Sequence, residues 1–548
     1  MEISTIEKLE REALKKNGTD FIRLGFALFF MIGVLTFSFL DNGGVSNNMF
    51  LAIAALIGAY MAMNIGANDV ANNVGPAVGS RAMTMAMAIV IAAIFEAAGA
   101  LIAGGEVVKT IKKGIIDISA FGGNPDPFIW AMMAALLAAA LWLNFATAMR
   151  APVSTTHSIV GGVMGAGIAA AGFSIVSWST MAKIAASWVI SPVLGGVIAA
   201  IFLYSIKKSI LFKEDKIQAA KTYVPFFVAI MSWAFVTYLT LKGLKKIWPQ
   251  VVEILNFIPL VTLEMTKKPS FTTALILGGA VSIIVYLFVK TKMAKSITML
   301  ENNKASVNTL FTIPLIFSAA LLSFAHGAND VANAIGPLAA INDAVVNGGI
   351  SSKASIPLWV MGVGALGIAL GLALYGPKLI RTVGSEITEL DQIRAFSIAM
   401  AASITVIIAS QLGLPVSSTH IAIGGIFGVG FLREWLHLRD DGNSIEEDKE
   451  IIKDERQTKI AYKLELSTLE AKEEKTPQDF QRIATLYKMI KDEQKIIKTT
   501  KKHIRKVKKV EYVKRDAIKK IIAAWIITVP AAAVIAAVLF FMIKGIML

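Results

Sequence analysis

The chain has 548 residues, of which 55% are hydrophobic and 17% are charged, and it contains no cysteine. Its mean hydropathy is +0.63, and many apolar runs reach the roughly 20 residues that cross a bilayer as a helix. The net charge of +15 comes mostly from loops between these runs, which is the pattern of a membrane protein and not of a nucleic-acid binder. The lack of cysteine excludes disulfides and zinc–thiolate sites.

The predicted elements begin with a charged segment, 1–20, and an apolar span, 21–40, which is too long for a cleavable secretion signal. Further spans are predicted at 49–66 running into 67–80, 82–104, 128–148, 178–206, 222–241, 271–290, 308–326 running into 327–340, 357–376, 394–411 and 520–544. Two other apolar segments, 152–171 and 415–431, open with proline and hydroxyl residues and become glycine-rich, which favours re-entrant hairpins over full spans. The expected fold class is an all-α polytopic membrane protein.

Three motifs recur in the same order along the chain. They are Gly66–Pro76 (GANDVANNVGP) with Gly327–Pro337 (GANDVANAIGP), Pro152–His157 (PVSTTH) with Pro415–His420 (PVSSTH), and Lys183–Pro192 with Lys520–Pro530. The first two pairs have offsets of 261 and 263 residues. Such a duplication is typical of secondary transporters built from two repeats.

The repeats divide the chain into six parts. These are 1–48 with the extra first span, 49–206 as repeat one, 207–307 as linking helices, 308–431 as repeat two, 432–519 as an insert, and 520–548 as the final span of repeat two. Residues 1–20 hold four Lys/Arg and 207–221 hold five Lys, whereas 41–48 hold none, which places the first two segments inside and the third outside. The repeats are then inverted, although lysines at the tip between 241 and 271 run against this orientation.

The insert, 432–519, is rich in Lys, Glu, Asp and Ile. Thr476-Pro477 predicts a helix start, and isoleucines recur every seven residues from Ile483 to Ile504. We therefore expect a cytoplasmic helical hairpin with helices near 445–474 and 477–516. It serves either as a structural appendage or in regulation or subunit contact.

The Asn-Asp motifs place polar side chains inside apolar runs. The asparagines share helix faces in pairs, Asn68 with Asn72 and Asn329 with Asn333. A carboxylate at bilayer depth, such as Asp69 or Asp330, marks an ion pathway or a proton relay. Gly75-Pro76 and Gly336-Pro337 are predicted to break the helices and free carbonyl oxygens, which are hard ligands suited to Na⁺. The alternative for these motifs is contact between helices.

The hydroxyl clusters are predicted helix starts. Their members are Ser154, Thr155 and Thr156 in repeat one and Ser417, Ser418 and Thr419 in repeat two. Free backbone N–H groups, the helix dipole and the hydroxyls together form an anion site that needs no Lys or Arg. The alternative is that the hydroxyls act only as helix caps.

Four further residues have less specific interpretations. We interpret His157 and His420 as structural, each orienting its hairpin through a hydrogen bond. Glu96 lies in an apolar span without a counterpart in repeat two, and serves either as a cation or proton site or in a buried hydrogen bond. Arg150 is interpreted as an interfacial side chain, because Gly413 holds the equivalent position in repeat two.

The segments GANDVANNVGP, HGANDVANAIGP, PVSTTHSIVGG and PVSSTHIAIGG resemble the signatures of the inorganic phosphate transporter (PiT) family over about 50–430 and 519–545. The resemblance implies phosphate transport coupled to Na⁺ or H⁺, sulfate transport in at least one bacterial branch, inverted repeats with paired hairpins, and dimers. It places the anion and its Na⁺ ions among Asn68, Asp69, Thr155, Thr156, Asn329, Asp330, Ser418 and Thr419. The extra first span and the position of the insert depart from the common pattern.

The sequence therefore predicts a symporter in a cell membrane (inner or plasma) that imports inorganic phosphate with Na⁺ by alternating access, as a homodimer. Ser154 and Ser417 join the substrate-binding set above, and the expected Na⁺ ligands are Asn68, Asp69, Asn72, Asn329, Asp330 and Asn333. The alternatives are an H⁺-coupled phosphate or sulfate permease and, less favoured, a channel or a membrane sensor. No organic cofactor is expected, and an enzyme is unsupported because no nucleophile–base pair or cofactor loop occurs.

Overall fold

The computed structural model describes residues 3–41, 48–122, 124–149, 153–257, 263–297, 300–347, 356–386, 390–440, 442–508, 512–513 and 515–547. Most of the predicted outside loop 41–48, together with Arg150 and Pro152, lies outside these ranges. Within them the chain is helical and has no β-strand, with one isolated bridge between Ile116 and Val176. The predicted all-α fold is confirmed for this part of the chain.

Two compact units divide the chain, 1–429 with 515–548 and 430–514. The helices up to the second hydroxyl cluster are α1 (Ile3–Asp41), α2 (Asn48–Asn68), α3 (Val70–Gly79), α4 (Met85–Ala103), α5 (Gly105–Lys113), α6 (Asp126–Ala148), α7 (Thr155–Ala171), α8 (Trp178–Ile206), α9 (Lys216–Tyr238), α10 (Trp248–Leu255), α11 (Phe271–Ser296), α12 (Lys304–Leu310), α13 (Thr312–Val346), α14 (Leu358–Glu386) and α15 (Gln392–Gln411). They are followed by α16 (Ser418–Asp440), α17 (Gly442–Glu470), α18 (Pro477–Lys508) and α19 (Arg515–Met547).

Among the described residues, 12 helices are long and apolar enough to cross a membrane. Eleven of them match the spans predicted from the sequence to within a few residues at each end, including the long pairs Asn48–Gly79 and Thr312–Val346. The twelfth, Ser418–Arg439, was predicted to be a hairpin. The chain therefore has the expected multi-pass architecture.

The two glycine-rich segments after the hydroxyl clusters form continuous helices, α7 and α16. With 17 residues, α7 extends about 26 Å, which is short of a typical hydrocarbon core, whereas the 23 residues of α16 exceed it. The glycines allow close packing and do not interrupt the helix: a side chain on Gly428 would collide with the backbone of Gly196 in α8. The re-entrant geometry of these segments stays a prediction.

Matching helices of the two repeats cross in the same way. Helix α2 of repeat one packs against α14 of repeat two, and α13 of repeat two packs against α4 of repeat one. A side chain on Gly66 would collide with the carbonyl oxygen of Ile368, and one on Gly327 would collide with that of Glu96. Only glycine permits these close crossings, which bring the motif residues after each glycine into the buried centre of the unit.

The second unit contains α17 and α18, which pair in antiparallel fashion. Leu466, Leu486 and Ile490 form its buried apolar seam. The backbone N–H of Asp479 donates to Thr476 Oγ1 at 3.2 Å, and that of Thr476 donates to Asp479 Oδ2 at 2.9 Å. This reciprocal cap confirms the helix start predicted at Thr476-Pro477.

Candidate functional site

The helix that carries the first Asn-Asp motif is interrupted at the aspartate, Asp69. Helix α2 ends at Asn68 and α3 begins at Val70, whereas Asp330 lies inside the continuous α13. The predicted breaks at Gly75-Pro76 and Gly336-Pro337 are wrong, because both prolines lie inside helices. A proline removes only one backbone donor, and a helix packed on all sides can continue past it with a local distortion.

Both hydroxyl clusters begin helices, as predicted. The backbone N–H of His157 donates to Ser154 Oγ at 3.1 Å, and that of His420 donates to Ser417 Oγ at 3.2 Å. These two serines are therefore N-caps, which is the alternative that the sequence had left open for the clusters. The other two residues of each cluster are almost fully buried, and their hydroxyls bond to groups outside their own helix starts.

Each aspartate receives a hydroxyl from the cluster of its own repeat. Thr155 Oγ1 donates to Asp69 Oδ2 at 2.6 Å, and Ser418 Oγ donates to Asp330 Oδ2 at 3.3 Å. Thr155 and Ser418 are equivalent in the two repeats, and so are the two aspartates. The predicted proximity of the Asn-Asp helices and the hydroxyl clusters is therefore present in both halves.

The two repeats also contact each other through a matching pair of amide–hydroxyl bonds. Asn72 Nδ2 donates to Thr419 Oγ1 at 2.8 Å, and Asn333 Nδ2 donates to Thr156 Oγ1 at 3.1 Å. Thr419 Oγ1 lies 3.1 Å from Asp69 Oδ1 as well, as donor to that carboxylate. The site is thus assembled from both repeats, and neither repeat forms it alone.

Asn68 and Asn329 turn toward the helix ends that precede the clusters. Asn68 Nδ2 donates to Thr147 Oγ1 at 2.8 Å near the end of α6, and Asn329 Nδ2 donates to Ser410 Oγ at 2.9 Å near the end of α15. Thr147 and Ser410 occupy equivalent positions, and the sequence analysis did not single them out. These amides hold the segments that carry the hydroxyl clusters.

A histidine links two of the buried carboxylates. His326 Nδ1 lies 2.7 Å from Glu96 Oε2, and His326 Nε2 lies 3.1 Å from Asp330 Oδ2. Asn73 Nδ2 donates to the other oxygen of Glu96 at 2.8 Å. All of these groups are almost completely buried. When both carboxyls are ionised, the imidazole satisfies them only as a doubly protonated cation, since a carboxylate offers no donor.

His326 and Asn73 were missed by the sequence analysis, and the role of Glu96 was left open. The available signal was a charged residue and a histidine, each in an apolar run and each without a counterpart in the other repeat. The position of His326 corresponds to Ile65, and the packing partner of Gly66 that corresponds to Glu96 is Ile368.

The two aspartates converge although 261 residues separate them. One ligand atom each of Asp69, Asp330 and His326 lie within 4.8 Å of one another. Oδ1 of Asp330 and the side-chain oxygens of Asn68 and Asn333 accept no hydrogen bond from any residue that the structure describes. Buried oxygen atoms of this kind are suitable ligands for a hard cation such as Na⁺.

The two cluster histidines form the middle of a column of four rings. The ring centroids of His157 and His420 are 4.6 Å apart, and those rings lie 3.9 Å from Trp188 and 3.7 Å from Trp525, respectively. Ring packing holds both imidazoles at the helix starts, and the hydrogen bond expected for each histidine stays a prediction.

Comparisons with known proteins agree on one family. The profile of the phosphate transporter family matches residues 65–536. A "Putative phosphate permease" of Helicobacter pylori strain J99 is 48% identical over 558 aligned positions, which cover 98% of each chain. Another "Putative phosphate permease", from Thermococcus kodakarensis, is 38% identical and covers 70% of this chain and 89% of its own. A solved structure described as the sodium-dependent phosphate transporter is similar with a TM-score of 0.70 and 30% identity, covering 91% of this chain and 99% of that one.

Proposed function

Because the chain belongs to the phosphate transporter family, we propose that it is a secondary active symporter that imports inorganic phosphate together with Na⁺. Its binding site comprises the aspartates, asparagines and hydroxyls of both repeats described above. The observation that carries the proposal is the convergence of Asp69 and Asp330 within one buried cluster of oxygen atoms. The sodium dependence stated for the similar solved structure supports the choice of cation.

Two adjacent buried carboxylates need positive charge nearby. Carboxylates that share a site cannot both stay ionised without a cation or a proton between them. His326 supplies one partner to Asp330, whereas within the described residues the side-chain donors to Asp69 are the hydroxyls of Thr155 and Thr419. A Na⁺ ion beside Asp69, bound also by the unpaired oxygens of Asn68 or Asn333, supplies the missing charge. The same ion reduces the repulsion between the carboxylates and an arriving phosphate.

Phosphate is favoured over sulfate because it carries its own donor. At neutral pH phosphate keeps one or two protons and can donate to a buried carboxylate oxygen, whereas sulfate has none. A site with a buried acceptor rejects an analogue that lacks the donor, often by about four orders of magnitude. Asp330 Oδ1, which accepts no bond from the described residues, is such an acceptor. Arsenate should compete with labelled phosphate, and inhibition by sulfate as strong as by arsenate would overturn the assignment.

Alternating access follows if the hydroxyl clusters leave the Asn-Asp helices during the cycle. The hydrogen bonds from Asn72 to Thr419 and from Asn333 to Thr156 join the two repeats at the site. We propose that the anion replaces these bonds with bonds to its own oxygens, which lets the hydroxyl clusters separate from the Asn-Asp helices. We include inverted repeats, a re-entrant placement of the helix-start segments and a homodimer in a cell membrane in the proposal.

The orientation can be tested by cysteine accessibility. We propose that 1–20, 207–221 and 432–519 face the cytoplasm, from the loop charges. Because the chain contains no cysteine, single cysteines report without background. A cysteine at Lys475 should resist an impermeant reagent in intact cells and react after permeabilisation, while reaction from outside would contradict the orientation.

The decisive experiment is uptake of radiolabelled phosphate into proteoliposomes with an inward Na⁺ gradient. We expect uptake to depend on Na⁺ and to disappear when choline replaces it. A proton gradient of the same size, applied without Na⁺, is the control. Uptake that follows the proton gradient and ignores Na⁺ would contradict Na⁺ coupling.

Proton-coupled phosphate transport is the second candidate, and the Glu96–His326–Asp330 chain favours it. A histidine between two carboxylates can accept a proton from one side and donate to the other. Under this alternative, His326→Gln abolishes proton-driven uptake. Under Na⁺ coupling, Na⁺ still drives the residual uptake of that variant.

A further inference from the structure

The helical hairpin of α17 and α18 has ion pairs at and near its turn and a further one between His503 and Asp448. At the turn, Lys472 Nζ lies 2.7 Å from Asp479 Oδ1, and Arg482 contacts Glu465 at 2.7 Å. The pKa of Asp479 is lowered to about 2, first by the hydrogen bond from Lys472 and then by the bonds from Thr476. In this part of the hairpin the cations have acidic partners.

A groove farther from the turn has only cations among its charged lining residues. It has a volume of about 400 Å³ and is lined by Lys459 of α17 and by Gln494, Ile497, Lys498, Lys501, Lys502 and Arg505 of α18. The α18 residues follow one helical stripe, with spacings of three, four, seven, eight and eleven from Gln494. Lys459 is half-buried on the facing helix, and half-buried Ile497 contributes an apolar surface.

The five cations of the groove have no acidic group among its lining residues. None of the ion pairs found within the described chain involves them. The His503–Asp448 pair belongs to the same stretch of α18, yet neither residue lines the groove. Like charges held close together repel one another, and that repulsion is relieved when an anion binds between them. The concave shape separates this group from an ordinary solvated lysine face.

We propose that this groove binds a soluble anion that carries several phosphate groups, of the size of a short polyphosphate or a nucleoside triphosphate. A single inorganic phosphate carries too little charge to engage five cations at once, so this ligand differs from the transported anion. Lysine heads and the Arg505 guanidinium are standard partners for phosphate oxygens. The volume lies in the range of small-ligand sites, and it suits a compact ligand better than an extended surface. The groove belongs to the unit of residues 430–514, whereas Asp69 and Asp330 belong to the other unit.

Calorimetric titration of the full-length protein in detergent micelles with tripolyphosphate tests the proposal. We expect saturable binding with one ligand per chain, weakening steadily as the salt concentration rises. Lys498→Gln, Lys501→Gln and Lys502→Gln together should weaken it by about tenfold or more, since they remove three charge-assisted contacts. The matched control is Lys488→Gln, Lys491→Gln and Lys495→Gln, which removes the same charge from exposed positions of α18 outside the groove.

The proposal holds if the control variant binds like the wild type and both variants keep the wild-type unfolding temperature. It also requires Asp330→Asn to bind tripolyphosphate normally, which separates the groove from the transport site. Equal losses of affinity in the two triple variants would show that binding depends on the net charge of α18 and not on the groove, which would overturn the proposal. The absence of saturable binding would overturn it as well. Binding to vesicles with anionic lipid, but not to tripolyphosphate, would assign the groove to lipid headgroups and also overturn it.

Discussion

Where α2 crosses α14, the residue before the motif glycine is Ile65 and the glycine packs on Ile368; where α13 crosses α4, the matching positions are His326 and Glu96. All four side chains are fully buried. The hydroxyl and amide groups of the site are duplicated in both halves, whereas the third carboxylate and the histidine are not. The comparison teaches that the two halves share the groups expected to bind the anion, whereas the two helix crossings differ in buried charge. Asp69 and Asp330 therefore occupy equivalent positions in different electrostatic environments.

The largest expected effect comes from neutralising either aspartate. Asp69→Asn and Asp330→Asn should each lower Na⁺-driven phosphate uptake by about a hundredfold or more, since loss of one member of a buried charge cluster costs about 3–5 kcal/mol. Initial uptake rates in proteoliposomes measure this. Asp343→Asn, at a buried salt bridge with Lys112 outside the cluster, is a control for the loss of a buried carboxylate. Wild-type uptake in either motif variant would remove that aspartate from the site.

Replacing the charged pair of one crossing by the apolar pair of the other tests the charge difference directly. His326→Ile and Glu96→Ile should each destabilise the protein by about 3–5 kcal/mol, because each leaves a buried charge without its partner. The double variant should be more stable than either single one, as the Ile65 and Ile368 pair already shows that an apolar pair fits this crossing.

Thermal unfolding in detergent measures these stabilities, and uptake by the same samples shows the functional cost. We expect the double variant to recover part of its unfolding temperature, since Asp330 still lacks the imidazole, and not to regain transport. If the two destabilisations simply add, the two residues do not act as a pair. If transport returns as well, the charge difference between the halves has no function.

Smaller effects are expected at the duplicated hydroxyls. Thr156→Val and Thr419→Val each remove one of the two acceptors of an amide from the other repeat, at a cost of about 0.5–1.5 kcal/mol for the lost hydrogen bond. The loss should be larger for Thr419, which also donates to Asp69, whereas Thr156 donates to the carbonyl of Val416. Concentration dependence of uptake separates binding from turnover. Equal losses would indicate that only the amide contacts matter.

The smallest effect is expected from the insert, which repeat one lacks. Joining a residue near 436 to one near 516 by a short linker should leave phosphate uptake close to that of the full chain, because the insert contributes none of the site residues. Membrane yield and unfolding temperature control for folding. Loss of uptake in a folded deletion variant would make 432–519 part of the transport cycle.

Most of the helical architecture could be predicted from the sequence, because apolar runs of span length have few alternatives in a membrane. The duplicated motifs also identified residues that the structure brings together. Polar side chains buried within apolar runs need polar partners, and the two copies of the motif supply them to each other. The site assignments themselves await the experiments above.

The errors have physical causes. Gly75-Pro76 and Gly336-Pro337 were predicted to break helices, but tight packing around a helix tolerates one missing donor. His326 was missed because it lies just outside the duplicated part of the motif, so its importance depends on Glu96 from a distant helix. Pairs of this kind have no periodicity or spacing in the sequence that would reveal them.

The ring column at the helix starts has a geometric consequence. His157 touches His420, which is its own counterpart in the other repeat. If the halves are related by the two-fold rotation that the proposed inverted repeats require, its axis passes near these two imidazoles, because matching residues of two such copies meet only near the axis. The column joins the start of α7 to the start of α16. A change in the distance between the two imidazoles would therefore report directly on a movement of one helix start against the other.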